Sequence, residues 1–265
     1  MISSTSNAQI KNIIALQKKA RERNSQGVFV CEGRKIFEEA RDFKDKRVIK
    51  AYVSESFYEN LENSEQYFEE TEYEIVADNV FNEAAQTITP QGILAIVKQP
   101  HYELEDMVNA DDVRLLLLED LRDPGNLGTI IRAGEGAAVT GIILSKESVD
   151  IFNPKVIRST MGSVFRVPFV YAEDFKDMLL MLKKAGINIF AAHLEGAVFY
   201  DSADLTGKSA IMIGNEANGI SNEAAALSDV KIKIPMAGSV ESLNAGVAAS
   251  ILMYERYRQL RNLSK

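Results

Sequence analysis

With 265 residues and 46% hydrophobic content, the chain can bury one large core or two ordinary ones, which excludes a disordered protein. The formal net charge of -8 argues, as a sum, against nucleic acid as a partner, because neutralising phosphates draws on a basic surface. No apolar run approaches the roughly 18 residues of a membrane helix, and "MISSTSNAQIKNIIALQKKA" holds no signal-like stretch, so a cytoplasmic protein without a membrane partner is expected.

Residues 1 to about 100 read as helix ("NAQIKNIIALQKKA"), strand ("GVFVCEG"), helix ("RKIFEEARDF"), strand ("VIKAYVS"), an acidic helix, strand ("EIVA"), helix ("NVFNEAAQT") and strand ("GILAIVKQP"). This is a small α/β unit. The single cysteine, Cys31, cannot close an internal disulfide. With only His101 and His193 beside it there is no metal-ligand cluster, so a buried structural thiol and no metal are expected. Charge is polarised within the unit. Residues 1–50 carry twelve Lys and Arg against six Asp and Glu, whereas Lys98 is the one Lys or Arg in residues 51–105, among acids such as Glu55, Glu59, Glu62 and Glu65. Two solvated faces would give that pattern; so would a phosphate-gripping side through Lys18, Lys19, Arg21, Arg23 and Arg34.

Pro100 and "HYELEDMVNADD" read as a linker into a second series. It opens with "VRLLLLEDL", too apolar for a half-exposed strand, which implies a mostly parallel sheet covered on both faces. Helix "LGTIIRAGEGAAV", strand "GIILS", helix "NPKVIRSTMGSVF", strand "RVPFVY", helix "DFKDMLLMLKKAG" and strands "INIFAAHL" and "SAIMIG" follow. Helix "SNEAAALS", strand "VKIKIP" and a C-terminal helix complete an open α/β domain, whose ligands are expected at the carboxyl ends of the strands.

Three strand-to-helix loops carry unusual polar content. In "DPGNLGTIIRA" Asn126 is read as a helix cap, and Arg132 as a solvated or anion-binding side chain. In "IGNEANGIS" Gly214 permits close backbone approach, Gly219 suits a positive-φ turn, Ser221 caps the next helix, and Glu216 is either solvated or holding something. In "IPMAGSVESLNAG" Ser239 and Ser242 are alternative caps, and capping alone would not require Glu241, Ser242 and Asn244 together.

Taken jointly, "NLGTIIR", "GNEANGIS" and "IPMAGSVESLNAGVA" resemble the three motifs of the SpoU, or TrmH-like, RNA ribose 2′-O-methyltransferases of the SPOUT superfamily. The resemblance covers about residues 110–265, and residues 1–100 resemble, more loosely, the small substrate-binding domain often found ahead of it. It implies a domain at 1–105 that binds RNA and one at 110–265 with a mostly parallel sheet and a deep trefoil knot. It also implies S-adenosylmethionine as cofactor and a homodimer acting on RNA, with ribosomal favoured over transfer RNA by architecture. Carried over by position, Asn126, Arg132, Glu216, Ser242 and Asn244 are the catalytic set, and Leu194, Gly214, Gly219, Ile234, Met236 and Leu243 the cofactor set. The family assigns Glu241 no role. Two other readings fit less well. A doubly wound nucleotide enzyme wants a G-x-G-x-x-G turn that "EDLRDPGNLG" lacks, and a plain RNA-binding module needs none of the loops' polar groups.

Overall fold

The computed structural model describes residues 1–43, 47–196 and 198–263. In chain order the first part forms α1 (Ala8–Lys18), α2 (Ala20–Gln26), β1 (Val28–Glu32), α3 (Arg34–Asp42) and β2 (Val48–Ser54). Next come α4 (Glu55–Glu59), α5 (Ser64–Tyr67), β3 (Tyr73–Val76), α6 (Asp78–Ala84) and β4 (Ile93–Lys98). The rest comprises α7 (Leu104–Val108), β5 (Arg114–Leu118), α8 (Pro124–Gly136), β6 (Gly141–Ser145), α9 (Pro154–Thr160), β7 (Phe169–Ala172) and α10 (Phe175–Lys184). It ends with β8 (Asn188–Ala192), β9 (Val198–Phe199), β10 (Ser209–Ile213), α11 (Asn222–Leu227), β11 (Val230–Lys233) and α12 (Ala245–Leu263).

These elements fall into two compact units. The first, Met1–His101 with Asp150–Phe165, holds a four-stranded sheet ordered β1-β4-β2-β3. Strand β4 is antiparallel to both β1 and β2, while β2 and β3 run parallel. Asn7 starts α1 by accepting the Gln9 N–H at 2.8 Å, and Ile10, Ile13 and Leu16 recur at helical spacing to pack on β1 and β4. Cys31 is buried on β1, and burial pushes its thiol far above the ordinary value, the behaviour of an inert structural cysteine.

The second unit, Tyr102–Val149 and Arg166 onward, holds a seven-stranded sheet ordered β7-β6-β5-β10-β8-β11-β9 in which every pairing is parallel. Leu115, Leu116, Leu117 and Leu118 are all fully buried, as a strand covered on both faces requires. Among the described residues no helix is long and apolar enough to cross a membrane.

Several elements differ from the sequence reading, among them α2 and β9, which it did not mark. The stretch read as a linker contains α7, because Met107 and Val108 bury into the core with Leu115 and Leu117. The acidic helix is two short helices, α4 and α5. Helix "NPKVIRSTMGSVF" shrinks to α9, closed by Met161 in the left-handed conformation (φ 51), and its segment Asp150–Phe165 packs in the first unit. There Phe29 meets Phe152 at 4.7 Å and Phe165 at 6.2 Å between ring centres.

Candidate active site

The loop after β5 is shaped by two acids. Asp120 adopts φ 54, held there as Ser145 Oγ accepts its N–H at 2.8 Å and donates to its carboxylate at 2.7 Å. Asp123 caps α8, accepting the Asn126 N–H at 2.8 Å, with Pro124 at the first helical position. Asn126 is therefore not the cap. The Asp-Pro pair was the available signal, since proline opening a helix assigns capping to the residue before it.

Freed from capping, the buried Asn126 side chain joins all three loops. Its amide Nδ2 donates to Glu216 Oε1 at 2.9 Å, and its Oδ1 accepts from Asn244 Nδ2 at 2.8 Å. Glu216 further accepts the backbone N–H of Asp123 at 2.9 Å and of Arg122 at 3.1 Å. Burial pushes the Glu216 carboxyl up, but the Asn126 amide and these backbone donors outweigh it and hold the group below its ordinary value.

The second loop closes on itself. Asn215 and Gly219 exchange backbone hydrogen bonds of 3.0 and 2.9 Å, with Gly219 at φ 69. The Asn215 side chain accepts from Ala217 and Asn218 and donates to the Asp120 carbonyl at 2.8 Å. A Cβ on Gly214 would stand 2.1 Å from the Gly219 carbonyl carbon, so only glycine fits. Ser221 caps α11, and Glu119 supplies the other half of a capping box by accepting both its N–H (2.8 Å) and its hydroxyl (2.6 Å).

In the third loop neither Ser239 nor Ser242 caps. Asn244 does, accepting the N–H of Gly246 at 2.9 Å and of Val247 at 3.2 Å while its amide reaches Asn126. From Ile234 to Leu243 the chain makes no hydrogen bond among the described residues, leaving its backbone donors and acceptors open to a ligand. Ile234, Met236 and Leu243 are half-buried there, and Leu194, after β8, is 68% exposed. Open backbone groups beside apolar side chains suit a nucleoside-containing cofactor, whose base wants apolar faces and in-plane hydrogen bonds.

Arg132, Ser242 and Glu241 are exposed and unpaired among the described residues, so Asn126, Glu216 and Asn244 contact one another rather than Arg132. Of the cations assigned to RNA, Lys18, Lys19 and Arg21 are exposed, and Arg34 pairs with Glu38 at 2.8 Å. Arg23 is different: it is buried, paired with Asp150, and bonded to the Leu16 carbonyl at 2.6 Å, so its guanidinium is engaged inside the first unit and not on its surface.

The SpoU rRNA Methylase family matches residues 114–254, and an MRM3-like substrate binding domain matches residues 7–95. The 23S rRNA (guanosine(2553)-2′-O)-methyltransferase RlmP of Bacillus subtilis is 30% identical over 96% of this chain and 97% of its own length. The AdoMet-bound rRNA methyltransferase of Sinorhizobium meliloti superposes with a TM-score of 0.84 at 31% identity, covering 98% of this chain and 97% of that one. The SpoU methyltransferase AviRb of Streptomyces viridochromogenes, solved with AdoMet, gives a TM-score of 0.84 at 27% identity over 96% of this chain and 98% of that one. A match that takes in all three hydrogen-bonded loops leaves one assignment: the chain belongs to the SpoU rRNA methylase family.

Proposed function

We propose that this protein transfers a methyl group from S-adenosylmethionine to a ribose 2′-hydroxyl of structured RNA, ribosomal rather than transfer RNA. The observation that carries this reading is the line Asn244–Asn126–Glu216, which fixes three strand-end loops against one another. The printed names of relatives from Bacillus subtilis and Streptomyces viridochromogenes, both 23S rRNA 2′-O-methyltransferases, favour ribosomal RNA.

S-adenosylmethionine supplies a methyl group already activated by its sulfonium, so alignment of hydroxyl, methyl carbon and sulfur is the main task left to the protein. The open backbone of Ile234–Leu243, with Gly214, Gly219 and the side chains of Leu194, Ile234, Met236 and Leu243, would hold the cofactor. Glu216 is a poor proton acceptor, because its carboxyl is held low and its oxygens already take three N–H groups. Asn126, Glu216 and Asn244 are thus positioning residues. Arg132, with its planar two-pronged guanidinium, clamps the phosphate beside the target ribose, whose oxygen or a neighbouring group takes the proton. Ser242 orients the ribose.

Methyl transfer from labelled S-adenosylmethionine to protein-free ribosomal RNA tests the reading, and no incorporation by the intact protein would sink it. In the same assay Arg132→Lys is expected to lower turnover at saturating RNA about tenfold or more, since lysine lacks the two-pronged fork; unchanged turnover would exclude the clamp. The finer parts of the reading are a substrate-binding domain at 1–105, a knotted methyltransferase domain at 110–265, a homodimer and a cytoplasmic place of work. Sedimentation addresses the dimer. Mapping ribose methylation across total RNA from cells lacking the protein names the target nucleotide.

A further inference from the structure

In the first unit, the start of α3, the turn before β4 and α9 line a cavity of about 310 Å³. Lys35, Ile36, Thr89, Gln91, Arg158 and Met161 are among its walls. Arg158 Nη1 is buried there without a hydrogen bond, 3.9 Å from Glu32 Oε2. Glu32 is a distant counter-ion to it, since its carboxylate also accepts the Gln86 and Thr87 N–H groups at 2.9 and 3.0 Å and the Thr87 hydroxyl. The guanidinium nitrogen is thus ion-paired at long range but has no hydrogen-bond acceptor, a need that an acceptor entering the cavity would meet.

The rest of the wall matches one kind of acceptor. Lys35 is exposed and unpaired among the described residues, so two cations, Lys35 and Arg158, line the cavity with one carboxylate, Glu32. The Gln91 Oε1 accepts the Arg34 N–H at 3.0 Å, which leaves its amide N–H groups directed to other partners. Met161 is 42% exposed, and the turn that supplies Thr87 and Thr89 carries Ile88 with its side chain wholly in solvent. Cations, amide and hydroxyl donors and apolar faces at one pocket of nucleotide size suit a phosphate with its base turned out of a stack.

We propose that this cavity anchors one unstacked nucleotide of the RNA, its phosphate between Lys35 and Arg158 and its base against Ile36 and Met161. The anchor rests on the reading of the protein as an RNA methyltransferase and adds a contact made by the first unit. Arg158 lies on α9, so the anchor is built partly from chain that follows β6.

Binding of full-length protein to protein-free ribosomal RNA tests it, with Lys35→Gln, Arg158→Gln and, as a charge-matched control in the second unit, Lys184→Gln. Lys35→Gln and Arg158→Gln are each expected to weaken RNA affinity about three- to tenfold and to flatten the salt slope by about one, with S-adenosylmethionine affinity retained. Lys35 is on the surface, so its variant folds even if that of Arg158 does not. RNA containing 4-thiouridine should photocrosslink to the peptide carrying Met161. RNA affinity equal to that of the Lys184 control, or crosslinks only elsewhere, overturns the anchor. So does tight binding of free nucleoside monophosphate that leaves RNA binding unaffected. Methyl transfer by the intact protein is scored separately: if it occurs while the pocket variants bind RNA normally, the anchor alone fails; if it is absent, the methyltransferase reading fails.

Discussion

Asn126 is the residue on which the three loops depend, since its one amide both donates to Glu216 and accepts from Asn244. Asn126→Ala removes two hydrogen bonds but leaves Glu216 its two backbone donors. Asn126→Asp is expected to be worse, because it sets a second carboxylate against Glu216 at hydrogen-bond distance. S-adenosylmethionine titration of both variants checks the order, and an Asp variant that binds better than the Ala variant would show that the line is dispensable. Glu216 also gives a pH signature. Its folded pKa lies below the ordinary 4.5, so its stabilising contribution is present at neutral pH and is lost as pH falls through the folded value. Loop order, read as cofactor affinity, is expected to fall in that acid range for the native protein and to stay low and flat in Glu216→Gln. Little of this was legible in the sequence: Asn126 lies 90 positions from Glu216 and 118 from Asn244, and short-range pattern carries no information about such pairs.

At the scale of elements, the strand and helix types followed from period and composition. β6 and β2 coincide with "GIILS" and "VIKAYVS", because short runs dominated by apolar and β-branched residues leave few alternatives. The caps were harder to read. "SVESLN" offers several capping side chains in a row, and tertiary contact with Asn126 selects the last of them. α7 was missed because a helix of five residues is too short to show a period. Gly214 was legible, and its environment sets a further expectation. Gly214→Ala would drive a Cβ into backbone at 2.1 Å, which cannot be relieved by rotating a side chain. The second loop must then shift, at a cost of about 1–3 kcal/mol in thermal stability together with a loss of cofactor affinity. An alanine variant with native melting behaviour would show that the loop adapts freely.

For the molecule as a whole, alternation of strands and helices announced two α/β sheets, and the parallel seven-stranded one agrees with the apolar "LLLL" that opens it. What alternation could not announce is membership. "NPKVIRSTMGSVF" has the apolar spacing of any covering helix, yet Phe152 and Phe165 pack with tilted rings near Phe29, and Arg23 holds Asp150 from inside the first unit. Local sequence records that a face is apolar; it does not record which core that face will join.

That crossing of Asp150–Phe165 into the first unit has a consequence for modularity. Cutting the gene near codon 102 would separate the N-terminal sheet from a piece of its own core, and the C-terminal fragment would display Phe152, Ile157 and Phe165 to water. Such a fragment is expected to aggregate and to bind a hydrophobic dye, whereas deleting the segment along with the sheet should restore solubility; a clean, soluble 102–265 fragment would count against this. Recombination between relatives is under the same constraint. A transplanted N-terminal domain arrives without its last helix unless the sixteen-residue stretch inside the other domain travels with it, so exchange of the two parts is a double crossover and not a simple fusion.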